Sequence, residues 1–73
     1  MTRKLTRSEV VALEVLMDLT SPEAILRAIA EIAGEKAEHV RATWNDETLA
    51  KRWEAVLVIA DKARTQVGDI KLF

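Results

Sequence analysis

The sequence predicts an all-α fold, a small bundle of four helices near residues 7–19, 22–33, 35–44 and 46–67. Three observations carry that expectation. The chain of 73 residues is 49% hydrophobic and 32% charged, with one proline and two glycines, a composition dominated by helix formers. Its apolar residues recur at three- and four-residue steps, the spacing that lines one side of a helix. Residues that cap helix N-termini stand immediately ahead of those periodic runs, at Thr6, Ser21 and Asn45.

In the first helix, Thr6-Arg-Ser-Glu9 reads as a capping box, with Leu5 placed to staple onto Val10. Eight of the ten residues from Val10 to Leu19 are apolar, and only Glu14 and Asp18 interrupt them, one turn apart. A surface helix shows a much narrower apolar side than this. Seventy-three residues form one domain, 1–73, near the lower limit for a chain that buries its own core. So short a chain has too little material to cover such a helix, and a second copy is the simplest cover. A homodimer is therefore expected, with Val11, Val15 and Leu19 of this helix in the interface.

The central stretch runs from Ser21 to Trp44. Ser21 is a good N-cap, Pro22 suits the first helical position, and Glu23 meets the positive end of the helix dipole. Leu26, Ile29, Ala33, Ala37, Val40 and Trp44 fall on one stripe, widened by Ile25 and Ile32, with Arg27, Glu31, Glu35 and Glu38 opposite. Gly34 decides how the stretch is built. In one unbroken helix it would lie on the solvent side and cost about 1 kcal/mol relative to alanine for no return. Just past a helix end it would supply a left-handed turn. The stripe fits both arrangements, and a break at Gly34 is the expectation.

In the last helix, Asn45-Asp46-Glu47 supplies a capping residue and first-turn acids. Leu49, Trp53, Val56, Ala60, Ala63 and Val67 then alternate at four- and three-residue steps, widened by Ala50 and Leu57, and Gly68 closes the helix. Trp53, Val56 and Leu57 join the expected interface. Trp44 and Trp53 read as core or interface anchors, and Val58 stands alone among polar neighbours. Residues 1–5 and 69–73 are expected as tails, the latter with an apolar alternation suited to docking in a groove.

Composition excludes several classes of function. Without cysteine there is no disulfide, no thiol nucleophile and no zinc cluster. Ser8 and Ser21 belong to caps, no glycine loop cradles phosphate, and an enzyme is not expected. Glu35 and His39 lie one turn apart, but a lone histidine gives no metal site, and no cofactor is expected. Eleven basic and twelve acidic residues, net −1, give no broad field for nucleic acid or lipid. The apolar runs are too short to span a membrane, and no signal peptide is recognisable, so a cytoplasmic protein without membrane contact is expected.

Two functions are open at this point. The first is a protein-interaction module acting as a homodimer, with a further protein partner unassigned. The alternative rests on Ala30, Gly34 and Val40, whose spacing matches a helix-turn-helix core, and Ala30-Glu-Ile-Ala-Gly34 resembles the first helix and turn of bacterial repressors. The resemblance implies DNA binding through helices 22–33 and 35–44, with Lys36, His39 and Arg41 reaching a groove. The second of these helices departs from the pattern by opening on Glu35 and carrying two acids against two bases.

Overall fold

A computed structural model describes residues 3–70 of the chain. It holds three α-helices, α1 (Arg7–Leu19), α2 (Pro22–His39) and α3 (Glu47–Gly68), with a π-helical turn, Val40–Trp44, between the last two. The all-helical class is as expected; the four-helix count is not. The segments expected at 22–33 and 35–44 are one helix that runs on into the π turn, and Gly34 sits inside it without a positive φ. Ala30, Ala33 and Ala37 continue good helix propensity on both sides of the glycine, and nothing local stops propagation there.

The helix starts follow from local chemistry. Thr6 Oγ1 accepts from the Glu9 amide at 3.3 Å while the Thr6 amide donates to Glu9 Oε1 at 2.8 Å, closing the capping box. Ser21 Oγ accepts from the Ala24 amide at 3.0 Å with Pro22 behind it. At α3 the cap is Asp46, whose Oδ1 accepts from the Leu49 amide at 3.0 Å. Asn45, expected in that role with Asp46 as a first-turn acid, instead adopts φ 51° and ψ 35° and ends the π turn. Among the described residues it is the left-handed position, a role the sequence suggested for glycine. Gly68 is helical, and Asp69 follows in the right-handed region.

α2 and α3 pack as an antiparallel hairpin. Gly34 faces Leu57 and Gly68 faces Glu23, pairs that run in opposite directions along the two helices. The seam is built from small side chains: Ala33, Ala37 and Val40 from α2 and the turn, Ala50 and Ala60 from α3 are the buried apolar residues, and no large side chain is fully enclosed. Small residues let two helix axes approach closely, and Gly34 belongs to that approach. A Cβ at Gly34 would stand 3.0 Å from Leu57 Cδ1, so the glycine meets α3 rather than solvent. α1 departs from the hairpin at Thr20-Ser21 and contains no buried residue. The molecule is accordingly open, with a radius of gyration of 14.2 Å against about 11 Å for a compact chain of this length.

Candidate interaction surface

Arg41 links the π turn to the first two turns of α3. Its Nε donates to Glu47 Oε2 at 2.8 Å, and its Nη2 donates to Glu47 Oε1 at 2.9 Å and to Glu54 Oε1 at 2.8 Å. Contact with the guanidinium holds the Glu47 carboxyl below the usual carboxylate range, and the two carboxylates raise Arg41. Arg41–Glu54, Gly34–Leu57 and Glu23–Gly68 all lie to one side of the seam. At about 100° per residue, the turn of an α-helix, Ile25, Ile29 and Ile32 of α2 then point to the other side. Leu49, Val56 and Ile59 of α3 point the same way, because an antiparallel partner mirrors the sense of rotation. The hairpin thus has a charged face and an apolar face. On the apolar face, Ile29, Ile32, Leu49, Val56 and Ile59 are all exposed.

The cations of that apolar face are Lys36 and Arg52, with the Glu35 carboxylate at its edge. Lys36 and His39 project from α2 and Arg52 from α3, and neither Lys36 nor Arg52 is in an ion pair among the described residues. A shallow depression bordered by Ile32, Glu35, Lys36 and His39 opens on its edge.

α1 presents the second surface. Val11 is 42% exposed, Val15 50% and Leu19 76%, and Val10, Leu13 and Leu16 are exposed as well. These side chains surround most of the helix, leaving the strip of Glu14 and Asp18 as its polar edge. The opening of α1 is tied down separately: Arg3 donates to both oxygens of Glu9 at 2.6 and 2.9 Å. That contact, with the Thr6 amide and hydroxyl, lowers the Glu9 pKa to about 2.

The residues expected in an interface therefore separate. Val11, Val15, Leu19 and Val56 are exposed, whereas Trp53 and Leu57 are half-buried within the hairpin, Leu57 against Gly34. Trp44, expected as an anchor on the α2 stripe, is 71% exposed. A π turn takes up one residue more than an α turn, so side chains beyond its start rotate off the stripe. Ile59 was missed by sequence reasoning, which singled out its neighbour Val58; the heptad count placed neither on the seam. The expected docking of the C-terminal tail involves residues 71–73, which lie outside the described residues, as do residues 1 and 2 of the N-terminal tail.

The three candidate DNA-reading residues are not brought together. Lys36 and His39 share the apolar side of α2, while Arg41 lies on the charged side and is engaged by two carboxylates. The turn at Gly34 on which the helix-turn-helix geometry depended is not formed. Among the described residues no group of three or more His, Cys, Asp or Glu side chains is placed to hold a metal ion. No described helix is long and apolar enough to cross a membrane. Comparison with protein-family models, with curated proteins and with solved structures finds no match to this chain.

Proposed function

We propose that this chain is a protein-interaction module that works as a homodimer. The observation that carries the reading is α1, a helix of 13 residues with no buried side chain. Isolated helices shorter than about 12–15 residues are marginal in water, because each must offset the unfavourable nucleus from propensity alone. α1 is moreover rich in valine, a residue whose branched Cβ loses rotamer freedom in a helix. A helix of this kind persists when its apolar side is covered.

The area agrees with a second copy as the cover. The chain exposes 6158 Å², whereas a folded monomer of its mass exposes about 4500 Å². The excess, about 1600 Å² per chain, is surface that another chain can cover. Sedimentation equilibrium at low micromolar concentration tests the reading. The expected result is twice the mass of one chain, with full helical circular dichroism. A folded species of single-chain mass would overturn it.

A further inference from the structure

We propose that the dimer forms by exchange of arms: α1 of each chain seats on the apolar face of the partner's hairpin, the face formed by Ile25, Ile29 and Ile32 with Leu49, Val56 and Ile59. This rests on the homodimer reading and adds which surfaces meet. Each chain carries two exposed apolar surfaces, the arm and the hairpin face, and neither is covered by the other within the chain. Only Thr20 and Ser21 separate α1 from α2, and the contacts of α1 with its own hairpin are confined to α2, with none to α3 that would place it across both helices. A reciprocal exchange covers both surfaces in both chains and closes under twofold symmetry, leaving no unpaired patch to propagate a chain of subunits.

Charge points to the same pairing. Between Val10 and Leu19 the arm's only charged residues are Glu14 and Asp18, both acidic and neither in an ion pair among the described residues. The hairpin face carries Lys36 and Arg52, with His39 beside them and one carboxylate, Glu35, at its edge. Pairing face on face would instead bring Lys36 and Arg52 of the two chains together. Opposite fields within about 8–10 Å attract at physiological salt, and like fields disfavour the wrong docking. The face is also wide enough for the arm, since it spans two helices whose side chains flank a single incoming helix as a ridge enters a groove.

Because the sequence has no cysteine, introduced thiols report the pairing directly. Leu16→Cys marks the centre of the arm's apolar side, and Ile59→Cys marks the hairpin face; both positions are exposed in the single chain, and cysteine keeps each of them apolar. The two variants, one carrying a size tag, are mixed, allowed to exchange subunits and treated with a short bismaleimide. Mixed-size crosslinked dimers are expected in at least fivefold excess over either same-site product. Val15→Cys replaces Leu16→Cys in a repeat should the latter fail to dimerise. Same-site products in excess, or no crosslink in a sample that is dimeric by mass, would overturn the exchange while leaving the homodimer standing. A wild-type chain of single-chain mass would remove both.

Discussion

The hairpin and the arm use opposite means of holding a helix. Between α2 and α3 the fully buried side chains are four alanines and one valine, with Trp53 and Leu57 half-buried beside them, so the helices come close and enclose no large side chain. α1 is built from valine and leucine, carries far more apolar area per residue, and fully buries none of its side chains in the single chain. Small side chains give close helix packing at almost no cost in rotamer entropy. Large ones give a greater driving force but need something to drive against. The difference teaches that apolar content and local self-sufficiency are separate properties: the greasiest helix of this protein is the least supported within it.

That contrast is most severely tested by Leu16→Asp. An aspartate in the middle of the arm's apolar side has no partner when covered, and self-association should weaken by at least about a hundredfold, near 3 kcal/mol. Far-ultraviolet circular dichroism should lose roughly the share of α1 while the hairpin remains. Unchanged mass and helicity would show that α1 stands by itself and that the contrast is illusory. Ala37→Leu attacks the other side of the comparison. Ala37 is buried in the seam, and forcing three more carbons between close helices should destabilise the hairpin by about 3 kcal/mol. Chemical denaturation measures the loss, and in a dimer it should leave the arm contacts intact. A near-neutral result would mean the seam is loose.

Gly34 gives a smaller and finer test. Alanine there gains about 1 kcal/mol of helix propensity, and its Cβ meets Leu57 Cδ1 at 3.0 Å, a flexible methyl that must yield. The two effects oppose, and Gly34→Ala should lie within about 1 kcal/mol of wild type, whereas branched Gly34→Val should lose about 1–3 kcal/mol to overpacking. Equal behaviour of the two variants would place Leu57 elsewhere. The smallest effect belongs to the start of the arm. Glu9 titrates at about 2 instead of the ordinary 4.5, so its contribution is complete above the ordinary value and is lost as pH falls through the depressed one. Carboxyl chemical shifts should follow a midpoint near 2, moving toward the ordinary range in Arg3→Ala. A midpoint unaffected by Arg3→Ala would assign the shift to the cap alone.

What could be read without coordinates was what neighbours in sequence decide. The capping box at Thr6 and Glu9 and the Ser21-Pro22 start are contacts across three or four residues, and both are formed as expected. Gly34 was misjudged because its role depends on Leu57, far along the chain, and no local pattern reports what faces a glycine. The π turn has no sequence signature either. It was the reason Trp44 left the stripe and Asn45, rather than either glycine, took the left-handed position. The apolar hairpin face escaped notice for a related reason. Ile29, Ile32 and Ile59 can be placed on one side only after the contacts of Arg41, Gly34 and Glu23 have set the rotation of both helices.

Arg41 has one more consequence. A strip of alanines is nearly featureless along its length, so two such helices resist sliding past one another less than helices locked by bulky knobs. The guanidinium spans Glu47 and Glu54, two turns of α3, and Leu57 drops into the notch left at Gly34. Exposed ion pairs of this kind add little to stability. Together with the Leu57 contact they mark one longitudinal alignment of α3 against the end of α2, at two points.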